Sequence, residues 1–265
     1  MDKAVDTQDM AVTVRNLSLV YEGNNQRVHA LSDVSMSVPR GSFVSLIGPS
    51  GCGKSTLLRV LGDLLAPTEG EARINAQTPR EERLKRKIGF VFQEPALLEW
   101  RNVLQNVMLP LELHGFSRRE REERARELLD VVGLTGFERA YPRQLSGGMR
   151  QRAAIARALS TRPDILLMDE PFGALDQITR DRLNMELAQI HELTGITVVL
   201  VTHSIREAVL LSDRIMVMSP RPGRISRIIE NPAPRPRTLE SRNEETFEAL
   251  VRLGNRELEK GSSNG

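Results

Sequence analysis

The chain has 265 residues, with 37 Lys and Arg against 35 Asp and Glu, which gives a formal net charge of +2. This length allows one large domain, or one domain with a subdomain, and a substantial core. The near balance of charge gives no electrostatic reason to expect nucleic-acid binding. The single cysteine excludes an internal disulfide framework and a multi-cysteine zinc site, and it fits a reducing compartment.

Neither a secretory signal nor a membrane span is expected. The first ten residues carry Asp2, Asp6 and Asp9 and have no apolar core, unlike a signal peptide. The longest aliphatic stretches, such as 196–201, fall far short of the ~20 residues that cross a bilayer. The sequence therefore predicts a soluble chain that works at a membrane only if another protein brings it there.

Strand patterns dominate both ends of the chain and a helical stretch separates them. Continuous apolar runs, as in 165–168 and 197–201, are typical of parallel strands buried on both faces. Residues 178–193 between those two runs read as a crossover helix. Residues 94–160 are charged, helical and poor in strand signals. The predicted strands are 12–20, 34–38, 43–47, 71–74, 87–92, 164–169, 197–202, 214–218 and 224–229.

The basic stretch 118–127 resembles a nucleic-acid patch only at first sight. Glu120 and Arg124, and Glu122 and Arg126, are opposite charges four residues apart on one helix. This spacing predicts intrahelical ion pairs on a solvated face rather than a phosphate-binding stripe.

Residues 48–56 match the pattern G-x-x-x-x-G-K-[ST] between an apolar strand and a helix. In that context the backbone curls around an anion, and the helix adds unpaired N–H donors. Lys54 can reach the β- and γ-phosphates of a nucleotide, and the Ser55 hydroxyl can hold Mg²⁺. The predicted phosphate-binding residues are Gly48, Pro49, Ser50, Gly51, Cys52, Gly53, Lys54, Ser55 and Thr56.

Two carboxylates end the apolar strand at 165–169. The C-terminal ends of parallel strands meet at the ligand edge of the sheet, where the phosphate loop also lies. Asp169 suits indirect Mg²⁺ binding. Glu170 is placed to orient or deprotonate a water that attacks the γ-phosphate. By themselves, the two residues are also compatible with a strand that merely ends at the surface.

Residues 145–152 form a second candidate anion site. Ser146 is a good N-cap, and Gly147 and Gly148 leave backbone N–H groups open ahead of a helix predicted over 149–159. No lysine and no strand accompany this turn. An ordinary capped helix is therefore the alternative interpretation.

The motifs together resemble those of the ATP-binding cassette (ABC) ATPases. They comprise 48–56, Gln93, 145–152, 165–171, 174–176 and His203, in the order typical of that family, and the resemblance covers roughly residues 12–229. It implies an α/β fold: a P-loop NTPase core with a mainly parallel sheet, an N-terminal antiparallel β subdomain and an inserted helical subdomain. It also implies that two cassettes bind two ATP molecules head to tail, with Mg²⁺. Each ATP would lie between the phosphate loop of one subunit and Ser146, Gly147 and Gly148 of the other.

Single residues acquire roles from the same resemblance. Gln93 resembles the glutamine that senses Mg²⁺ and water and links the site to the helical lobe. His203 resembles the switch histidine at the γ-phosphate, and Asp176 the aspartate that communicates between the two ATP sites. Tyr21 resembles the aromatic residue that stacks on adenine, with a packing role as the alternative. The remaining histidines match no motif and are expected to be structural: His29, His114 and His191.

Cys52 lies inside the phosphate loop and allows two interpretations. It is either a small spacer whose backbone N–H matters, or a reactive thiol whose pKa the surrounding N–H dipoles lower.

Residues 93–100 and 102–107 resemble the nitrate, sulfonate and taurine importer group, whose cassettes carry a Leu-Leu-x-Trp stretch after the glutamine. Glu99 replaces the proline expected before the tryptophan. Trp100 would either pack in the helical lobe or line the groove that receives a permease helix. The resemblance implies a separate transmembrane permease, an indirectly acting periplasmic or lipoprotein solute-binding protein, and a location at the cytoplasmic face of the bacterial inner membrane.

The predicted function is that of an ATP-hydrolysing subunit that powers an importer of a small solute. Two alternative functions remain: a non-transport cassette that acts in translation, repair or regulation, and a P-loop protein that binds nucleotide without hydrolysing it. Residues 11–230 are expected to form the nucleotide-binding domain, with a helical subdomain at about 94–160. Residues 231–265 are expected to form a Pro- and Arg-rich break and a helical tail, with Phe247, Leu250, Val251 and Leu258 on one face.

Overall fold

The computed structural model describes residues 9–23, 26–173 and 175–262. The predictions for Asn24, Asn25, Ala174 and the residues before Asp9 lie outside the described residues. The strands are β1 (Met10–Gly23), β2 (Gln26–Pro39), β3 (Phe43–Ile47), β4 (Glu69–Ile74), β5 (Ile88–Val91), β6 (Ile165–Asp169), β7 (Thr197–Val201), β8 (Arg214–Met218) and β9 (Ile225–Glu230). The helices are α1 (Lys54–Leu61), α2 (Pro79–Leu84), α3 (Val103–Leu113), α4 (Arg118–Val131), α5 (Gly147–Leu159), α6 (Gln177–Thr194), α7 (Ile205–Leu211) and α8 (Glu245–Ser262).

A six-stranded sheet with the order β5-β6-β7-β3-β8-β9 forms the centre of the molecule. Its first five strands are parallel, and β9 is antiparallel to β8. Alternate residues of β7 enter different cores: Val198 and Leu200 pack with the helices α3 to α6, while Val199 and Val201 pack with α1 and β1. Both faces are therefore covered, as the continuous apolar runs predicted.

A second sheet, antiparallel and with the order β2-β1-β4, covers one face of α1. Its strand β2 begins at Gln26, eight residues before the predicted strand at 34–38. The prediction was too short because polar residues interrupt the apolar pattern there. Backbone pairing with β1, as between Tyr21 and Val28, continues regardless of side-chain polarity. The predicted α/β fold with an antiparallel β part and an inserted helical part is confirmed.

The helix α4 forms ion pairs, but not those predicted. Glu120 turns back to accept the backbone N–H of Ser117 at 2.8 Å, which completes a capping box. It is thereby unavailable to Arg124, which pairs with Glu127 at 3.2 Å. The other ion pairs within this helix are Arg118–Glu122 and Arg119–Glu123. The face is solvated as expected, and the pairing changed because capping the helix start recruits its first glutamate.

The C-terminal segment packs against α6, α7 and the strand β8. Phe247, Leu250 and Val251 of α8 are buried in one apolar cluster, and Leu258 packs against it, as the sequence pattern predicted. Arg237 is 5% exposed and donates to the Ser212 carbonyl at 2.7 Å. The segment after β9 is therefore an integral part of the core, although it carries no sequence motif.

Arg242 binds the segment after β9 to α6. Its two guanidinium nitrogens donate to the two carboxylate oxygens of Asp181 at 2.7 and 2.6 Å. This bond is the main reason why the pKa of Asp181 lies below its ordinary value. The ion pair therefore stabilises the folded chain fully above the pKa of an unfolded aspartate, ~3.9. This contribution is lost as the pH falls through the lower pKa that Asp181 has in the folded chain.

We expect Asp181→Asn to lower the free energy of unfolding at pH 7 by about 1–3 kcal/mol, because it breaks a bidentate, partly buried ion pair. Urea denaturation at a series of pH values measures this. The difference from the wild type should shrink as the medium becomes acidic. Glu244→Gln, a nearby exposed site, is the matched control. Equal unfolding free energies of Asp181→Asn and wild type at pH 7 would contradict the assignment.

Among residues 9–23, 26–173 and 175–262, no helix has both the length and the apolar character that a membrane span requires.

Candidate active site

The predicted phosphate loop lies between β3 and α1 and depends on its glycines. Gly53 has a φ of +106°, in the left-handed region. A Cβ atom there would also lie 2.7 Å from Leu31 Cδ2 and 2.8 Å from the Ala30 carbonyl oxygen. The second sheet therefore presses directly on the loop, and only glycine fits at this position.

Lys54 is 6% exposed, and its ammonium group lies inside the loop. Its Nζ donates to the carbonyl oxygens of Gly48 at 2.8 Å and of Pro49 at 3.0 Å. These contacts place a positive charge where the loop backbone curls. A phosphate held by the loop amides would meet this charge.

Ser55 and Asp169 lie side by side at the end of the sheet. The Ser55 hydroxyl donates to Asp169 Oδ1 at 2.7 Å. Burial raises the pKa of Asp169, and the bond from Ser55 and the charge of Arg59 oppose this effect. A hydroxyl and a carboxylate oxygen in contact are hard oxygen ligands of the kind that suits Mg²⁺. The two residues therefore fit the predicted metal role.

Gln93 does not share this contact. Gln93 follows the end of β5. This strand is the neighbour of β6, the strand that ends in Asp169. Within the described part of the chain no hydrogen bond joins Gln93 to Ser55 or Asp169, and the residue is exposed. Its predicted role in metal binding remains a prediction.

Glu170 is held in an unusual backbone conformation. Its φ of +44° lies in the left-handed region. This conformation is energetically unfavourable for any residue that has a Cβ atom. Its N–H donates to the Val201 carbonyl at 2.9 Å, so the adjacent strand β7 fixes the turn. Its Oε2 lies 3.4 Å from His203 Nδ1. The strained turn thus brings together the two residues predicted to act at the γ-phosphate.

The second anion site is at the start of α5, which begins at Gly147 and not at Met149 as predicted. The Ser146 hydroxyl accepts the N–H of Met149 at 3.3 Å, so both glycines belong to the first turn of the helix. A Cβ on Gly148 would lie 2.9 Å from Thr179 Cγ2 of α6. The close approach of α5 and α6 explains why this position lacks a side chain.

Asp176 is the N-cap of α6, and its carboxylate accepts the N–H of Thr179 at 3.0 Å. This bond lowers the pKa of Asp176. Because Thr179 also packs against Gly148, the predicted communicating aspartate and the start of α5 are neighbours in one chain. The preceding Ala174 lies outside the described residues.

The predicted residues thus form two separate groups. One comprises the phosphate loop with Asp169, Glu170 and His203, and the other comprises the start of α5 with Asp176. In the described ranges no hydrogen bond or ion pair connects residues 145–152 with residues 48–56. Within the described part of the chain, the two groups of predicted residues are therefore not in hydrogen-bonding contact.

Tyr21 lies beside the phosphate loop, at the end of β1. It is 39% exposed, and its hydroxyl is 3.2 Å from the Thr56 hydroxyl. The ring is therefore accessible to a base next to the helix α1. The position suits the predicted stacking residue, and this role remains a prediction.

Cys52 is not an activated thiol. It is 1% exposed, and burial raises its pKa above the ordinary value, although the nearby Lys54 charge opposes this effect. The hypothesis of a thiol pKa lowered by loop dipoles is wrong for this chain. The physical reason is burial: the Cys52 side chain packs in the apolar cluster beneath the second sheet, and the Lys54 ammonium, 3.9 Å from its Sγ, does not offset the loss of solvation.

Two residues of the β8–β9 connection support the loop and carry no sequence motif. Arg221 donates from Nε and from a terminal nitrogen to the Gly51 carbonyl at 3.2 and 3.1 Å. A Cβ on Gly223 would lie 2.0 Å from the Cys52 carbonyl oxygen. The sequence could not identify them because they lie 170 residues beyond the loop that they contact.

We expect Gly223→Ala to weaken nucleotide binding by about tenfold, because the new methyl group must displace the loop backbone. Equilibrium binding of a fluorescent ATP analogue measures the change. Gly254→Ala in α8 is the matched control, since its methyl group would meet only side-chain atoms of Ile205, the nearest at 3.1 Å, and no backbone of the phosphate loop. Unchanged affinity in Gly223→Ala would show that the loop tolerates the displacement.

The helix α5 also holds the segment that follows Gln93. Gln151 donates to the Phe92 carbonyl at 3.3 Å, and Arg157 donates to the carbonyls of Ala96 and Pro95 at 2.7 and 2.8 Å. Beyond this segment Trp100 is 74% exposed and lines a cavity of about 660 Å³ with Leu104, Met108 and Arg139. Packing in the helical lobe, one of the two predicted roles of Trp100, is therefore wrong.

Comparison with known proteins identifies the family. The family model described as ABC transporter matches residues 31–173. The chain belongs to the ABC transporter family. It is thereby an ATP-binding and ATP-hydrolysing subunit, and the sequence resemblance is confirmed.

Three curated relatives are importer subunits by name. The taurine import ATP-binding protein of Rhizobium johnstonii is 50% identical over 75% of this chain and 75% of the relative. The aliphatic sulfonates import ATP-binding protein of Bacillus cereus is 42% identical over 91% and 93%. The nitrate import ATP-binding protein of Synechocystis sp. is 42% identical over 90% and 91%.

A solved structure shares the fold. It is a dimeric ATP-binding cassette in a post-hydrolysis state bound to ADP and Pi, with a TM-score of 0.75 and 38% identity. The alignment covers 84% of this chain and 99% of that one. The fold, the family and the ATPase activity of this ABC cassette are thus established together.

Proposed function

We propose that this ABC cassette powers a bacterial importer of a small solute of the nitrate, sulfonate or taurine class. The observation that carries the proposal is the match along most of the chain to three import subunits named for those solutes. The same names favour transport over a role in translation, repair or regulation.

The residue roles follow from the geometry of the group that contains the phosphate loop. The loop Gly48–Thr56 would bind the phosphates of ATP, Lys54 would neutralise them, and Tyr21 would stack on adenine. Ser55 and Asp169, the latter through water, would hold Mg²⁺ with help from Gln93, and this metal supplies charge neutralisation during phosphoryl transfer. The contact between Ser55 and Asp169 supports this assignment.

Glu170 would orient and deprotonate the attacking water, and His203 would steady the developing charge. The distance of 3.4 Å between their side chains supports a joint action. Removal of a proton from water by a positioned carboxylate is ordinary general-base catalysis. The strain at Glu170 is consistent with a side chain fixed for chemistry.

Two copies of the chain would complete the site. The exposed Ser146 and the open amides of Gly147 and Gly148 would contact the γ-phosphate bound to the partner's loop, and Asp176 would link the two sites. The separation of the two groups in one chain and the dimeric form of the related cassette support this arrangement.

A separate permease would dock on the helical part of the cassette, at the cavity that Trp100 lines. This part, at about 94–160, would be a subdomain of a nucleotide-binding domain spanning 11–230, followed by the segment 231–265. The cassette would lie at the cytoplasmic face of the inner membrane, and a periplasmic or lipoprotein solute-binding protein would act indirectly. The contacts of Gln151 and Arg157 with 92–96 support transmission between the ATP site and this cavity.

Co-purification with the permease tests the proposal. The permease encoded beside this chain should co-purify with it, and the complex should hydrolyse ATP faster when loaded with solute and binding protein. We expect Trp100→Ala to reduce co-purification while the isolated cassette keeps its ATPase activity. Leu113→Ala, an equally exposed apolar site, is the control. Failure of the wild type to bind any permease would refute the transport function.

A further inference from the structure

A buried glutamate behind the catalytic residues has no place in the mechanism above. Glu207 is 4% exposed, and its Oε1 has no hydrogen-bonding partner among the described residues. Its backbone N–H donates to the Ser204 hydroxyl, so it lies one turn beyond His203. An unpaired buried carboxyl oxygen costs free energy, and such groups in native proteins are usually satisfied by water when no side chain is available.

The carboxyl group borders a small cavity that reaches the catalytic pair. The space in it that a water-sized sphere can occupy is about 10 Å³, which is room for roughly one water molecule. Its lining includes Glu170, Thr202, His203 and Ser204 as well as Glu207. The cavity is thus lined both by Glu170 and His203, which are proposed to be catalytic, and by the buried Glu207.

A neighbouring group on α6 is also unpaired. Arg180 lines the same cavity, and its Nε is buried without a partner among the described residues. Asn184, which is 1% exposed, lies beside Glu207 but does not line the cavity. Arg180 and Glu207 therefore both border a space that is large enough for a water molecule.

The pKa of Glu207 reflects this setting. Burial raises the pKa, and hydrogen bonds with Thr202 and Asn184 and the charges of Arg180 and His203 oppose the effect. A carboxyl oxygen accepts a hydrogen bond from water in either protonation state.

We propose that this cavity binds one water molecule, and that Glu207 is a positioning residue that acts through this water on His203 and Glu170. The water joins α7 to the turn after β6, so His203 keeps its orientation toward Glu170. The inference rests on the proposed roles of these two residues. It adds a residue that contacts neither ATP nor metal.

Steady-state ATPase kinetics of the full-length chain test the role of Glu207. We expect Glu207→Leu to lower kcat by about tenfold, which corresponds to the loss of one hydrogen bond that orients the reacting groups. The KM for ATP should change by less than about twofold, because ground-state binding is untouched. Glu207→Gln should lose less activity than Glu207→Leu, since an amide still bonds to the water. Glu248→Gln, which removes an ion pair of Arg206 in α7, is the control.

A double-mutant cycle separates positioning from general destabilisation. His203→Ala should be slow, and adding Glu207→Leu to it should lower kcat by clearly less than the tenfold expected in the wild-type background. An equal decrease in both backgrounds, or equal losses in the Gln and Leu variants, would overturn the proposal. Wild-type turnover in His203→Ala would instead refute the role proposed for His203 itself. Urea denaturation of each variant reports whether it is folded.

A high-resolution crystal structure of the wild-type chain tests the water directly. The expected result is ordered water density within hydrogen-bonding distance of Glu207 Oε1. A dry cavity, or a side chain that fills it, would overturn the proposal.

Discussion

Glu170→Gln should hydrolyse ATP about a thousandfold more slowly than the wild type, within the range that general-base catalysis contributes. The amide keeps the shape of the side chain but cannot take a proton from water. ATP binding should persist, because the phosphate loop and Lys54 are unchanged. Trapped ATP should therefore hold two chains together, and the variant should elute as a dimer in the presence of ATP and as a monomer without it.

Two measurements test this expectation. Phosphate release gives the turnover rate, and size-exclusion chromatography with light scattering gives the mass with and without ATP. Glu192→Gln, an exposed site on α6, is the matched control and should behave as the wild type. Near-normal turnover in Glu170→Gln would remove Glu170 from the role of base.

Gly148→Ala should lower ATPase turnover by about a hundredfold, similar to the loss of one donor to a transition-state oxyanion. The new methyl group would lie 2.9 Å from Thr179 Cγ2, so the start of α5 must move away from α6. ATP binding to the isolated chain should remain near normal, because the phosphate loop belongs to the other group of residues. Adding Thr179→Ser, which removes the opposing methyl group, should restore part of the activity.

Mixing variants reveals whether the site spans two chains. Lys54→Ala and Gly148→Ala should each be nearly inactive alone. Their heterodimer contains one site with an intact phosphate loop and an intact start of α5, so the mixture should regain hydrolysis. No recovery on mixing, although the two chains associate, would contradict a site shared between subunits.

Local sequence patterns were sufficient for much of the fold. Continuous apolar runs identified β6 and β7 because a parallel strand buried on both faces leaves no polar position. A capping residue, Ser146, marked the start of α5, and a Pro-rich break preceded α8. One error arose where a residue could satisfy either of two local interactions: Glu120 completed the cap of α4 instead of an ion pair. Ser146 is the N-cap, as predicted, but α5 starts two residues earlier than expected because both glycines join its first turn.

The sequence by itself determined the chemistry, since Gly48–Thr56, Asp169, Glu170 and His203 are adjacent to strand ends that must meet at one edge of a parallel sheet. Tertiary structure alone decided which surfaces support that chemistry. Gly223 and Arg221 contact the phosphate loop across about 170 residues, and Glu207 lines a small cavity together with Glu170 and His203. Such contacts leave no periodic pattern, because they arise from the packing of elements that are distant in the chain. The same packing buries Cys52 and raises its pKa, so this residue is a spacer in the loop and not an activated thiol.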